Sequence, residues 1–383
     1  MWLNNFEIVL EDRVVERGAV RIEDGCIAEI REDLVTAAAV EGDGRLLLPG
    51  FVDIHGDMIE KEVEPRANVR MPLELGIYDL DRKLASCGVT TAYAALAFQP
   101  DFYGHARPVE HTAAMIDALT AMREELLVDH RVHARFEVDL PSALATAEGL
   151  LNAGALGLMS LMDHTPGQGQ YRNIEKHVNN LARQRGISEA AAAELVRQRM
   201  SHGTAGESLQ VVADLANLAR TTGIRLASHD DDSVEKVALM HGLGATISEF
   251  PITIEAATEA RQRGLATAMG APNALRGLSY SGNLSARQAY EAGVLDILTS
   301  DYHPSAILPA VVALADLGPG GLAASVALAS ANPARTLGLA DRGRIAEGLR
   351  ADLVIAERGR ISRTRATLRS GRTIWSDGRI IGF

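Results

Sequence analysis

Short apolar runs recur through the middle of the chain, separated by stretches rich in Ala, Leu and Glu. The runs are "GFVDIHGD", "TTAYAAL", "RVHARFEVD", "ALGLMSLMD", "IRLASHDD", "ATISEFP", "ATAMGAP" and "DILTSDYHP". Most are near-continuously apolar, the mark of strands covered on both faces. Intervening segments such as "SEAAAAELVRQRM" and "SARQAYEAG" are made of helix-favouring residues. This order predicts an α/β fold, a parallel (β/α)8 TIM-like barrel. The rival, an open doubly wound sheet, wants a Gly-rich phosphate loop after an early strand, and the sequence has none there.

The two ends follow another pattern. "FEIVL" and "VRIEDGCIAEI" alternate in period two around a turn at Asp24-Gly25, and "ADLVIAERGRISRTRATLRSGRTIWSDGR" does so with turns at Gly359 and Asp377-Gly378. Residues 1–48 and 346–383 are therefore predicted to form one small composite β domain, and residues 49–345 the barrel. The stretch 165–223 is long for a single crossover, and "TPGQGQYRNIEKHVNN" within it is polar. It is predicted as an insert over the barrel mouth, either a lid or an ordinary surface insertion.

Polar residues gather at the C-terminal ends of the predicted strands, the face where barrels of this kind carry their chemistry. His55 and Asp57 end the first strand, Glu137 the third, His164 follows the fourth, His229 the fifth and Asp301 the last. Residues two apart on a strand share a face, so His55 and Asp57 can converge on one ion. Three imidazoles with three carboxylates suit a divalent transition metal, zinc first and then manganese or iron, better than calcium or magnesium. Each residue alone also fits a strand-end cap; it is the joint pattern that points to metal. Asp163 stands beside His164, and the sequence leaves open which of the two reaches an ion. Asp230, Asp231 and Asp232 read as caps of the next helix, with one of them free to orient His229. The histidines at 105, 111, 130, 133, 177, 202 and 241 are read as structural.

Composition narrows the partners. A net charge of −12 argues against a general binder of nucleic acid or anionic membranes. It leaves room for an anionic small molecule wherever Lys and Arg cluster locally. The two cysteines, Cys26 and Cys87, exclude a disulfide framework and point to the cytoplasm. The first residues are acidic where a secretory leader would be basic, and the most apolar long stretch is broken by Asp316, Pro319 and glycines, so no membrane span is expected. Self-association is left open.

"LLLPGFVDIHGD" resembles the first-strand signature of the amidohydrolase superfamily, with Asp57 in place of the usual second histidine. Together with "DIHGDMIEKEVEPR", "HARFEV", "SHDDD", "MGAPNALRGLSYSGNLSA" and "DILTSDYHPSAIL", it resembles that superfamily's carbon–phosphorus lyase pathway branch, over about residues 45–345. The resemblance implies one or two metal ions, with Glu137 bridging, His164 and His229 as the paired histidines and Asp301 as the last-strand acid. It also implies hydrolysis of a ribose triphosphate phosphonate with loss of pyrophosphate. Asp301 would move the proton, with His303 beside it as a second acid. Lys61, Arg66, Asn273, Arg276, Ser281, Asn283 and Tyr302 would meet the substrate.

Two other readings remain. The commoner chemistry of the superfamily, hydrolysis of a cyclic amide, N-acyl group or amidine, uses the same metals and needs fewer cations. A metal-free scaffold subunit would show a broken ligand set. Lys61 and Arg66 also have a plain role open to them, pairing with Glu60, Glu62 and Glu64 on a solvated loop.

Overall fold

The computed structural model describes residues 1–66, 69–98, 109–140, 142–167, 171, 173–200, 205–279, 283–380 and 382. The chain first lays down β1 (Trp2–Val9), β2 (Val14–Glu23), β3 (Cys26–Arg31), β4 (Ala39–Glu41) and β5 (Leu46–Pro49). Next come the barrel strands, β6 (Phe51–Gly56), β7 (Val89–Phe98), β8 (Asp129–Glu137), β9 (Leu156–Met162), β10 (Arg225–His229), β11 (Ile247–Glu249), β12 (Ala266–Gly270) and β13 (Ile297–Thr299). It closes with β14 (Leu353–Glu357), β15 (Arg363–Arg369) and β16 (Arg372–Ser376). All eight apolar runs read from the sequence are strands, each pairing in parallel with the next.

The terminal strands make the second sheet, in the order β16-β15-β14-β5-β1-β2-β3 with β4 beside β1. Its centre is the antiparallel pairing of β14 with β5, which brings the two ends of the chain together. Strand alternation divides its apolar residues. Leu47, Leu353 and Ile355 pack with Leu3, Phe6 and Ile8 into the sheet's own core. Leu46, Leu48, Val354 and Ala356 join the large core between the barrel and its helices. The sheet is thus fixed to the barrel by apolar burial, worth about 25 cal/mol per Å² removed from water.

Inside the barrel, one layer is apolar: Ile54, Tyr93, Leu158, Ala227, Ile247, Ala268 and Ile297. Polar residues follow it toward the C-terminal ends of the strands. The ring closes there as well. The Asp301 N–H donates to the His55 carbonyl at 2.9 Å and the Asp57 N–H to the Asp301 carbonyl at 3.0 Å. The closing bonds of the barrel therefore fix three residues that carry chemistry.

Within the stretch 165–223, the helices Ile174–Arg185 and Glu189–Met200 pack on each other through Leu181, Ala182, Ala192 and Val196. The helix Ala205–Thr222 instead turns Leu215, Ala216 and Ala219 into the main core, as a barrel helix does. The part outside the (β/α)8 plan is the helix pair. Among the described residues, no helix is long and apolar enough to cross a membrane.

Candidate metal centre and active site

The C-terminal ends of the strands open onto a cavity of about 390 Å³. Its wall includes His55 and Asp57 from the end of β6, Arg135 from β8, His164 after β9, His229 and Asp230 at the end of β10, and Asp301 after β13. Three wall residues, Asp230, Phe250 and Asp301, have left-handed backbone with φ of 53°, 54° and 54°. Such φ values are uncommon for non-glycine residues, most of all a bulky one, and here they lie at strand ends on the cavity wall.

The imidazoles are oriented by buried carboxylates. His55 Nδ1 lies 3.0 Å from Glu249 Oε1, and His229 Nδ1 lies 3.3 Å from Glu249 Oε2. Ser160 Oγ donates to the same carboxylate at 2.6 Å. His164 Nδ1 makes a close hydrogen bond to Glu137 Oε1. A carboxylate on Nδ1 leaves Nε2 as the ligating nitrogen. His164 Nε2 is 3.6 Å from Asp230 Oδ2, and His229 Nε2 is 3.9 Å from Asp230 Oδ1. The donor atoms of His164, His229 and Asp230 lie close enough together for one ion, as do those of His55, His133 and Glu249.

Burial and neighbouring charges shift the groups of the site in different directions. Burial works against a charged His164, but Glu137 and Asp230 outweigh it and hold its pKa up at about 9. Burial also opposes the charge on Glu137 and Asp230. The first is nevertheless held low by His164 and Arg199, the second by His229 and His164. Deep burial drives His133 down to about 3, against the pull of Glu249. Glu249 stays well below the usual carboxylate range despite burial, because His133, His55 and His229 surround it. Asp301 goes the other way: burial first, then the Asp57 charge, push it up to about 7.

The sequence-predicted residues separate into groups. His55, Asp57, His164, His229 and Asp301 line the cavity, and so do Asn273, Arg276, Asn283 and Tyr302. Glu137 stands behind His164. Of the neighbouring pair, it is His164 that faces the cavity; Asp163 Oδ1 accepts the Thr165 N–H at 3.0 Å. Lys61 Nζ lies 5.7 Å from the centre of the Tyr302 ring, at the rim. Arg66 makes a backbone bridge to Val69 and His303 is exposed; among the described residues neither is on the cavity wall. Glu62 pairs with Lys83 and Glu64 with Arg70. Ser281 lies outside the described residues.

Four residues at the centre escaped the sequence reading. His133 and Arg135 share the inward face of β8 with Glu137, and the spacing "HARFE" carried that signal. Glu249 ends β11 as His229 ends β10. Asp230 was read as a helix cap. The cap is Ser233, and Asp231 accepts from the hydroxyls of Ser228 and Ser248, which leaves Asp230 to the cavity.

This site on this barrel defines a hydrolase: the chain belongs to the amidohydrolase family, whose sequence pattern matches residues 46–381. It is 37% identical, over 94% of its length and 95% of the relative's, to the alpha-D-ribose 1-methylphosphonate 5-triphosphate diphosphatase of Escherichia coli strain K12. A dihydroorotase of Mycobacterium tuberculosis is 27% identical over 82% of this chain and 74% of its own. Among solved structures, a 5-methylcytosine deaminase from Klebsiella pneumoniae superposes with a TM-score of 0.67 at 17% identity, covering 98% of this chain and 97% of that one. This last likeness shows the shared fold.

Proposed function

We propose that the chain hydrolyses α-D-ribose 1-methylphosphonate 5-triphosphate, releasing pyrophosphate and leaving the 5-monophosphate, as a step in phosphonate catabolism. The observation that carries this reading is the nearly end-to-end likeness to the Escherichia coli diphosphatase. The cavity agrees with it: Arg135 and Arg276 on its wall suit an anionic substrate. The likeness to dihydroorotase favours a cyclic-amide substrate instead, a neutral group that has less use for two guanidinium groups. The two cysteines, both free, accord with a cytoplasmic enzyme.

A divalent ion fits the site. Asp57 Oδ1, His164 Nε2 and Asp230 Oδ2 are buried atoms without a hydrogen-bond partner, all on residues of one cavity wall. Polar atoms seldom stay buried and unpaired. His164, His229 and Asp230 would hold the ion, with Glu137 and Glu249 orienting the two rings from behind. The mixed imidazole and carboxylate set suits zinc first, then manganese or iron. When bound, such an ion supplies Lewis acidity, lowering the pKa of water and drawing charge from phosphoryl oxygens.

The protein's own groups do the rest. Asp301, with its raised pKa, accepts the proton of the attacking water and returns it to the leaving side. Asp57 keeps that proton affinity high. Arg276 and Arg135 neutralise the phosphate oxygens, which is most of what phosphoryl transfer asks of a protein. Asn273 has its side-chain oxygen on the Ala286 N–H at 2.9 Å, so its amide N–H groups are turned to other acceptors. In this reading pyrophosphate is the leaving group and water attacks the phosphorus nearest the ribose; attack on the middle phosphorus would give the same two products with the water oxygen in pyrophosphate.

The test offers metal-loaded enzyme a ribose 5-triphosphate and, separately, dihydroorotate. Pyrophosphate from the first, with no ring opening of the second, supports the reading. Orthophosphate alone, or turnover only of the cyclic amide, contradicts it.

A further inference from the structure

Three cavity imidazoles have Nδ1 on a carboxylate, but their Nε2 atoms meet different partners. Those of His164 and His229 face Asp230. That of His55 lies 2.7 Å from Arg135 Nη1. Arg135 is only 8% exposed, lies on the cavity wall, and its buried Nε has no hydrogen-bond partner. Arg135 is also a positive group that opposes the mutual repulsion of Asp57 and Asp301.

The second set of possible donors, His55, His133 and Glu249, is already saturated. His55 has Glu249 on one nitrogen and Arg135 on the other. His133 has the Ile54 carbonyl on Nδ1, at 2.9 Å, and Ser160 Oγ on Nε2. Glu249 has His55 on Oε1 and both Ser160 and His229 on Oε2. An ion there would have to break these bonds in a fully buried place. In the first set, by contrast, His164 Nε2 and Asp230 Oδ2 have no hydrogen-bond partner and face each other at 3.6 Å.

We propose that Arg135 takes the place of a second metal ion: the centre holds one divalent ion, on His164, His229 and Asp230, and the Arg135 guanidinium seated on His55 is the fixed cation of the other half. This rests on the metal reading given above. A guanidinium is permanently charged and presents its donors as a planar fork, so the donors that His55 does not use suit a phosphate oxygen. It also explains a carboxylate at position 57: Asp57 and Asp301 face a cation that the chain itself supplies.

The test is metal stoichiometry, read apart from activity. Metal-stripped protein is titrated with Mn²⁺ and followed by elemental analysis and electron paramagnetic resonance. The wild type should saturate at about one equivalent per chain with an uncoupled signal. Arg135→Met, which frees His55 Nε2, should take a second equivalent and show spin coupling. Two equivalents in the wild type would overturn the proposal while leaving the triphosphate reading intact. So would an Arg135→Met variant that still takes only one. No bound metal in the wild type would overturn the metal reading and this proposal together. The wild-type titration decides the matter alone if the variant does not fold.

Discussion

His229 takes its role from its neighbours rather than from its own identity. Glu249 lies on one nitrogen and burial lowers the ring's pKa, so in the proposed centre the other nitrogen is the one for the ion. Substituting Glu249→Gln should weaken metal affinity by about 10- to 100-fold, the usual cost of losing an orienting carboxylate. Competition with a chelator measures it, and unchanged affinity would remove Glu249 from the centre. Asp301→Asn should keep the fold and lose about 10²- to 10⁴-fold in kcat, because an amide cannot carry the proton. Gly270→Ala tests the same group from outside. A Cβ there would meet Asp301 Oδ2 at 2.8 Å and Asp301 Cβ at 3.2 Å, so the carboxylate must move. kcat should fall while the thermal midpoint stays close to that of the wild type; full activity would show that the position of Asp301 does not matter. The sequence placed His55, His229 and Asp301 at strand ends, but it could not show which carboxylate stands behind which ring. His55 and Glu249 meet only because the barrel closes, and no local pattern encodes that contact.

Strands were more legible than their partners. Each barrel strand is a local apolar run, and burial on both faces leaves little else for such a run to become. The helix Ala205–Thr222 was not separable from the helix pair before it, since helical composition does not tell which core a helix will join. At the opposite end of the barrel an ion pair holds strands together. Arg342 Nη1 donates to Asp129 Oδ2 at 2.6 Å and to Thr91 Oγ1 at 2.9 Å, tying the chain after the barrel to β7 and β8. Burial alone would raise the Asp129 pKa, but Arg131 and Arg342 outweigh it and hold it low. A depressed carboxylate adds stability above its unfolded value of about 4 and loses it as pH falls through the folded value. Arg342→Met should therefore cost about 1.5–3 kcal/mol, the worth of a hydrogen bond to a charged group, in urea unfolding near neutral pH, because Arg131 still pairs with Asp129. It should also flatten the acid limb of the stability curve. A cost below about 1 kcal/mol would mean that Arg131 and Arg123 hold Asp129 well enough without Arg342.

The whole molecule is acidic, at −12, yet Arg135 and Arg276 stand on its cavity wall. Overall charge was readable in the composition; the two arginines were readable only in part. Arg276 was found in its Gly-containing segment, where it ends the helix Ala271–Arg276, whereas Arg135 was hidden inside a strand. Arg276→Ala should lower kcat/KM for the triphosphate by about 10- to 150-fold, the equivalent of one charge-assisted contact of about 1.5–3 kcal/mol. Arg66→Ala, off the cavity wall, should change it little; the reverse order would place the phosphate chain along the 61–66 segment instead. In the proposed reaction water attacks the phosphorus nearest the ribose and pyrophosphate leaves. Turnover in ¹⁸O-labelled water, followed by phosphorus-31 spectroscopy, decides between the two possible sites of attack. The isotope should appear in the ribose 5-monophosphate and not in pyrophosphate. Label in pyrophosphate, or orthophosphate as the labelled product, would contradict it.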